Sequence, residues 1–230
     1  MKSRPVVRSS GRPVVHARRD LLSEAEVRRV FDALAAAITP RCELVHASAF
    51  ELLVAVVLSA QCTDANVNKA TAKLFAVART PHAIVELGED GLIPLIRSIG
   101  LFNTKAKNLV GLSRLLLERH GGEVPATREA LTALPGVGRK TANVVLNVWF
   151  GQETFAVDTH AQRVTNRLGL CRTTTPEQTE QALAARVPEP HRRNAHAYLV
   201  LHGRYTCTAR SPRCAACPAA LWCRCVGVGK

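Results

Sequence analysis

The feature that most constrains the fold is a short glycine-containing turn between two apolar helical patterns. Leu131 and Leu134 end the first pattern, and the sequence PGVG follows at residues 135–138. The second pattern has its apolar face formed by Ala142, Val145, Leu146 and Trp149. Because glycine adopts backbone conformations that other residues avoid, this arrangement predicts a helix-hairpin-helix.

A hairpin of this kind can hold an anion with its main chain. Successive backbone N–H groups and the positive N-terminus of the following helix both point at the ligand, and a phosphate held this way is bound without any reading of base sequence. We therefore expect nucleic-acid contacts at Pro135, Gly136, Val137, Gly138 and Arg139. The alternative is a tight turn between helices that binds nothing.

The charge of the chain points to the same partner. Its formal net charge is +13 and its pI about 10.0, which favours a polyanion. The longest apolar stretch, residues 50–60, contains Glu51 and is too short to cross a membrane. Nucleic acid is thus expected and a membrane is not.

The first residues predict a separate element. Residues 1–20 are rich in arginine and are interrupted by Pro5, Gly11 and Pro13, which is typical of a disordered basic arm. No apolar core follows these charges, so a secretory signal is not expected. We expect an intracellular protein, in the cytoplasm or on the nucleoid if the source is bacterial.

The remainder of the chain carries helix signals almost throughout. Ser23 and Glu26 form a capping-box pattern, and threonine precedes proline at Pro81 and Pro176. Strand-like alternation is nearly absent, residues 154–157 being the one short candidate. The predicted fold class is all-α.

A lysine and an aspartate stand where chemistry on a nucleic acid could occur. Lys140 falls in the first turn of the helix after the hairpin, where the helix dipole and Arg139 disfavour its protonated form, and partial burial would add to this effect. A neutral amine is a nucleophile, whereas a protonated one would only neutralise phosphate. Asp158 precedes another helical pattern and fits its N-cap, either as a cap alone or as a carboxylate that stabilises a cationic sugar.

Four of the eight cysteines form a compact set near the C-terminus. Cys207, Cys214, Cys217 and Cys223 follow the pattern C-x6-C-x2-C-x5-C. Such density suggests a soft-metal site, and the single short knuckle is closer to a [4Fe-4S] ligand set than to structural zinc. Zinc and disulfides remain alternatives at this point, and Cys225 is more easily explained as a spare thiol than as a ligand.

Together these residues resemble the endonuclease III family of bifunctional DNA glycosylases, over about residues 21–223. The resemblance is carried by LSAQCTD at 58–64, GLFNTKA at 100–106, LPGVGRKTANVVL at 134–146, VDTH at 157–160 and the four-cysteine set. It implies that Lys140 is the nucleophile, that Asp158 is its catalytic partner and that the four cysteines ligate a [4Fe-4S] cluster.

The resemblance also implies an architecture and further DNA contacts. Two helical domains would flank a DNA-binding cleft, a six-helix domain at residues 42–153 and a discontinuous cluster domain at 21–41 and 154–230. Gln61 and Leu101 fall on the positions that fill the space left by an extruded nucleotide, and His160 is placed with the DNA contacts. Without the resemblance, Leu101 would be assigned to the core and Gln61 to a helix end.

The function implied is base-excision repair. A monomer would bind double-stranded DNA containing an oxidised pyrimidine or an abasic site, remove the base through a Lys140 Schiff base, and break the strand by β-elimination. Three alternatives stay open: a monofunctional adenine glycosylase, which usually lacks the hairpin lysine, a non-enzymatic helix-hairpin-helix module, and a zinc-stapled DNA binder.

Overall fold

The computed structural model describes residues 20–225 and residue 228, and this part of the chain is helical. It contains no β-strand, which confirms the predicted all-α class. The α-helices in chain order are α1 (Glu24–Ala37), α2 (Ala49–Leu58), α3 (Asp64–Val77), α4 (Pro81–Ile96), α5 (Phe102–His120), α6 (Arg128–Thr132), α7 (Arg139–Val148), α8 (Thr159–Leu168), α9 (Pro176–Arg186) and α10 (Arg192–Tyr205). Of the predicted basic arm, residues 1–19 lie outside the described part.

Short polar side chains set the starts of several helices. Ser23 and Glu26 form the reciprocal capping box predicted for α1, and Thr175 and Gln178 form another at α9. Thr80 caps α4, whose first residue is proline. Each hydroxyl accepts a hydrogen bond from a backbone N–H that has no partner inside its helix. The predicted helix starts are therefore confirmed.

The chain divides into two compact units, at Pro40/Arg41 and at Ala156/Val157. The unit of residues 41–156 contains α2 to α7. Its centre is α2, where every residue from Phe50 to Leu58 is buried. A helix this apolar is stable only inside a core, and α3, α5 and α7 pack against it, while α4 packs on α5 and α6 packs on α7.

The second unit is discontinuous in sequence and combines α1 with α8, α9 and α10. Helix α10 packs against both α8 and α1. Phe31 of α1 stacks on the His191 ring at a centroid distance of 5.9 Å, and Nε2 of His191 lies 2.8 Å from an Asp32 carboxylate oxygen. Near the C-terminus, Arg224 donates a hydrogen bond to Glu26 at 2.8 Å. These contacts join α1 to the later segments.

Two local expectations were wrong. Residues 154–157 are not a strand, and polar groups of this segment bond to Asn143 of α7. The Asn143 side-chain amide donates to the Phe155 carbonyl at 3.1 Å, and the Asn143 backbone carbonyl accepts from the Thr154 hydroxyl. Trp149 does not complete the apolar face of α7, since it lies past the last helical residue and 43% of it is exposed.

The Glu26 carboxylate is held in its charged form by its partners. The hydrogen bond from the Ser23 backbone N–H, assisted by Arg224, lowers the pKa of Glu26 below its ordinary value against the opposing effect of burial. A carboxyl group with a lowered folded-state pKa stabilises the fold above its unfolded-state pKa, and this contribution is lost as the pH falls through the folded-state pKa.

We expect Glu26→Ala to lower the free energy of unfolding by about 1–2 kcal/mol at neutral pH, because it removes the capping box and the ion pair. The difference from wild type should shrink as the pH falls below about 4, measured by denaturant unfolding over a pH series. Glu24→Ala, an exposed glutamate of the same turn, serves as the control. An undiminished difference at about pH 3 would contradict this account.

Candidate functional site

The predicted hairpin is present between α6 and α7. Leu131, Leu134 and Val137 are buried and hold the turn against the core of its unit. The N–H of Val137 bonds to the Leu134 carbonyl at 3.1 Å, which closes the turn. Gly138 is the N-cap of α7 and supplies no side chain over the first amide groups. Those N–H groups have no carbonyl partner within the helix, so this end of α7 can receive an anion.

Glycine is required at the first hairpin position for two reasons. Gly136 has a φ of 75°, in the left-handed region that other residues rarely adopt. A Cβ atom there would lie 2.9 Å from the Cβ of Asn108 on α5. Gly138 has a φ of −90° and no atom within 4 Å of an added Cβ, so its fold does not demand glycine. A backbone phosphate could approach the main chain closely only if the space at Gly138 is open, as it is here.

Lys140 is the second residue of α7 and is exposed, as is Arg139. Its position in the first helical turn is the predicted one. The partial burial considered for it is absent, because the buried face of α7 is formed by later residues such as Ala142 and Val145. The amine is thus accessible to a ligand bound at the hairpin.

Asp158 is the N-cap of α8, as predicted. One carboxylate oxygen accepts a hydrogen bond from the Ala161 N–H at 2.8 Å, and the residue is half-buried. The preceding residues 155–157 are buried and fix where the helix begins. The cap occupies one oxygen with a backbone bond, which orients the carboxylate while the residue keeps some solvent exposure.

His160 follows two positions later and is also half-buried. Its Nδ1 lies 3.3 Å from a guanidinium nitrogen of Arg163, one turn further along α8. Since the guanidinium can only donate, this contact uses Nδ1 as an acceptor and leaves Nε2 as the nitrogen that carries the proton in the neutral ring.

Gln61 and Leu101 both have left-handed backbone conformations, with φ of 57° and 60°. Gln61 is exposed in the turn after α2, as expected of a helix-end amide. Leu101 is 64% exposed, so its alternative assignment to the core is wrong. An exposed leucine in a strained conformation lacks a packing explanation and fits a role in binding.

The four cysteines of the predicted set surround one cavity. None of the eight cysteines of the chain forms a disulfide, which excludes that alternative. The cavity is lined by Cys207, Cys214, Cys217, Cys223, Cys225, Arg167 and His202, among others. Cys225, expected to be a spare, contributes to the same wall, and its thiol lies 3.6 Å from that of Cys223.

The protonation of these thiols depends on their burial and on contacts between them. Burial raises the pKa of Cys217 to about 11, and burial also raises the pKa of Cys214. The contact with Cys225 raises the pKa of Cys223. A positive centre bound among the thiols of Cys214, Cys217 and Cys223 would favour their charged forms. In the part of the chain that the structure describes, no three His, Cys, Asp or Glu side chains are grouped around one point as a single metal ion would require.

Two arginines that the sequence analysis did not single out attach this loop to α8. Arg163 donates to the carbonyls of Gly203 and Cys207 at 2.8 and 3.0 Å. Arg167, one turn later, donates to the carbonyls of Thr208 and Ala209 at 2.7 and 2.9 Å. Their spacing of four residues on one helix was the available signal, because such residues share a face. The helix that carries Asp158 thus also fixes the start of the cysteine loop.

Comparisons with known proteins agree with this geometry. Residues 54–189 match the model of the HhH-GPD superfamily of base excision DNA repair proteins. Endonuclease III of Escherichia coli (strain K12) is 57% identical over 178 residues, which cover 77% of this chain and 84% of that protein. Endonuclease III of Bacillus subtilis (strain 168) is 50% identical over 184 residues, which cover 80% of this chain and 84% of that protein.

The chain belongs to the endonuclease III family. Among solved structures, a trapped endonuclease III–DNA covalent intermediate superposes with a TM-score of 0.84 at 46% identity, covering 89% of this chain and 97% of that one. The family assignment made from the sequence motifs is confirmed. Among the described residues of this family member, no helix is both long and apolar enough to cross a membrane.

The two hairpin glycines give a matched pair of variants. We expect Gly136→Ala to lower the free energy of unfolding by about 2 kcal/mol or more, because the new Cβ is both strained and in collision with Asn108. Gly138→Ala should change stability by no more than about 1 kcal/mol. It should nevertheless weaken binding to duplex DNA, measured by fluorescence anisotropy, if a phosphate approaches the backbone there. Equal stability of the two variants would contradict the structural distinction.

Proposed function

We propose that this chain excises oxidised pyrimidines from duplex DNA and then cleaves the strand at the resulting abasic site. Membership of the endonuclease III family makes it a base-excision-repair DNA glycosylase with AP lyase activity. The observation that carries the residue assignment is the exposed Lys140 amine in the first turn of the helix after the glycine hairpin. A relative of the same fold was captured as a covalent intermediate with DNA, which supports a nucleophile in this family.

DNA binding is assigned to the main chain of the hairpin. The N-terminal amide groups of α7 and the turn at residues 135–138 would hold a backbone phosphate, with Arg139 adding charge. The net charge of +13 draws the polyanion to the surface in a salt-dependent way. Contacts of this kind are independent of base sequence, as a repair enzyme requires.

The chemistry begins after the damaged nucleotide leaves the base stack. The neutral Lys140 amine forms a bond to C1′ as the glycosidic bond breaks, and the base departs with the bonding electrons and takes up a proton. Loss of the amine proton and opening of the sugar ring give a Schiff base. Removal of a C2′ proton then expels the 3′ phosphate, and water hydrolyses the Schiff base to release Lys140. Asp158 would stabilise the cationic sugar or carry a proton.

We assign the [4Fe-4S] cluster of the family to the cavity formed by the four cysteines. The fit rests on the donor set: four free thiols line one cavity, Arg167 Nη1 lies 3.7 Å from the Cys207 sulfur, and the Cys225 N–H donates to the Cys223 sulfur at 3.3 Å. Nearby donors of this kind are the usual surroundings of cluster thiolates. The bound cluster would supply four covalent anchors for the loop, and no step of base removal is assigned to it.

The remaining assignments follow from DNA as the binding partner. We propose that the unit of residues 41–156 is the hairpin domain and that the discontinuous unit is the cluster domain. Gln61, Leu101 and His160 would contact the DNA around the lesion. The protein would act as a monomer wherever the cell keeps its DNA, which is the cytoplasm and nucleoid in a bacterium.

The assignment of Lys140 has a direct test. With duplex DNA containing an abasic or oxidised-pyrimidine site, borohydride reduction should trap a covalent conjugate of the wild-type protein and none of Lys140→Ala, because reduction requires the Schiff base. Lys140→Arg keeps the positive charge and should bind DNA while forming no conjugate. Lys73→Ala, an exposed lysine of α3, should be trapped like wild type. A non-enzymatic binder would give no conjugate at all, and a conjugate with Lys140→Ala would assign the nucleophile elsewhere.

The cluster assignment is tested by metal content. We expect about four iron and four acid-labile sulfide per wild-type chain. Cys214→Ser should lose most of both, whereas Cys42→Ser, outside the four-cysteine set, should retain them. A content of one zinc per chain would instead indicate a structural zinc site and would overturn the cluster assignment.

A further inference from the structure

The two residues assigned to the space around an extruded nucleotide share an unusual backbone. Among the described non-glycine residues, left-handed φ angles occur at Gln61, Leu101 and Cys225. A non-glycine residue in this region is disfavoured by about 1–2 kcal/mol and persists only where its surroundings impose it. Something in the unit of residues 41–156 must therefore hold both turns.

Lys105 contacts both turns. Its ammonium group donates to the carbonyls of Leu58 and Ala60 at 2.9 and 2.7 Å, immediately before Gln61. Its backbone N–H bonds to the Leu101 carbonyl at 3.0 Å, the first hydrogen bond of α5. Any residue other than proline would make that backbone bond, so the lysine side chain is what links the Leu101 turn to the carbonyls before Gln61, which lies 40 residues earlier in the sequence.

The burial of Lys105 is difficult to explain as a device for stability. Only 5% of the residue is exposed, and burial lowers the pKa of Lys105 with a small opposing effect of Cys62. The described partners of its ammonium are neutral carbonyls at the C-terminal end of α2, where the helix dipole is negative. Removing a cation from water for two neutral acceptors is expensive, and an apolar side chain would avoid that penalty but would leave both carbonyls without this donor. A hydrogen-bond donor at position 105 also fixes the orientation of the Gln61 turn.

We propose that Lys105 is a positioning residue that holds the Gln61 and Leu101 turns in one fixed relation, so that both side chains are ready to fill the gap when a nucleotide leaves the duplex. The proposal rests on the proposed function, because it takes Gln61 and Leu101 as contacts to the DNA around the lesion. It assigns no chemistry to Lys105 itself. The role concerns duplex DNA alone: a nucleotide in a single strand leaves no paired stack to be filled.

Single-turnover borohydride trapping on two abasic substrates tests this role. For Lys105→Met, which is unbranched like lysine but one atom shorter and without donors, we expect the trapping rate on duplex abasic DNA to fall about 10- to 100-fold relative to wild type. On the same abasic strand without its complement, the rate should stay within about twofold of wild type. Lys73→Met, which removes an exposed charge, controls for the loss of general attraction to DNA and should leave both ratios near one.

A mutant cycle separates the loss of side-chain positioning from a general loss of activity. In a Gln61→Ala/Leu101→Ala background the two side chains are gone, so adding Lys105→Met should cause little further loss on duplex DNA. Lys105→Gln, which keeps a donor without a charge, should retain an intermediate rate, and it replaces the methionine variant if circular dichroism shows that protein to be unfolded.

Three results would overturn the proposal: equal losses on both substrates, no loss on the duplex, or full additivity in the mutant cycle. Wild-type protein that forms no conjugate with duplex abasic DNA would instead overturn the proposed function. The two failures are therefore distinguishable.

Discussion

Buried or half-buried cations bound to main-chain carbonyls hold the functional segments of this protein. Lys105 binds the carbonyls that end α2, and Arg163 and Arg167 bind those between Gly203 and Ala209. In each unit a carbonyl-rich loop that regular structure cannot satisfy is fixed by donors from a neighbouring helix. Gln61 and Leu101 lie next to the first group of bonds, and Asp158 lies at the start of the helix that donates the second, whereas Lys140 and its hairpin are attached to neither. Apolar packing builds the two cores, but the placement of the loops depends on these bonds.

The N-termini of two helices, α7 and α8, differ in how they are capped. The N-terminus of α7 is capped by Gly138 and remains open, whereas the N-terminus of α8 is closed by the Asp158 side chain. The open end can receive a phosphate, and the closed end holds a carboxylate in a fixed orientation. The same backbone property therefore leaves a helix end without a side-chain cap in one unit and orients an acidic group in the other, and the side chain at the N-cap decides which.

Local sequence patterns predicted much of this arrangement, since caps and hairpins are formed by residues close together in the chain. The capping boxes of α1 and α9, the hairpin turn and the cap at Asp158 were all found this way. The exposure of Leu101 and of Lys140 depends on tertiary packing, which alternation and spacing do not encode. The sequence did not predict which cations bind main-chain carbonyls, because their partners are distant in the chain. Lys105 binds a carbonyl 47 residues away, and Arg163 binds one 44 residues away. Every residue has a carbonyl, so the sequence contains no mark of which one a cation will bind.

The identity of each cation follows from the geometry of its acceptors. The carbonyls of Leu58 and Ala60 belong to one tight turn, and a compact ammonium with rotatable donors reaches both. The end of α10 and the loop after it present carbonyls spread over several residues, and the planar fork of a guanidinium spans them, with Arg163 and Arg167 one turn apart on the same face. The two units thus satisfy main-chain carbonyls with two chemically different cations, a rotatable ammonium in one and planar guanidinium groups in the other.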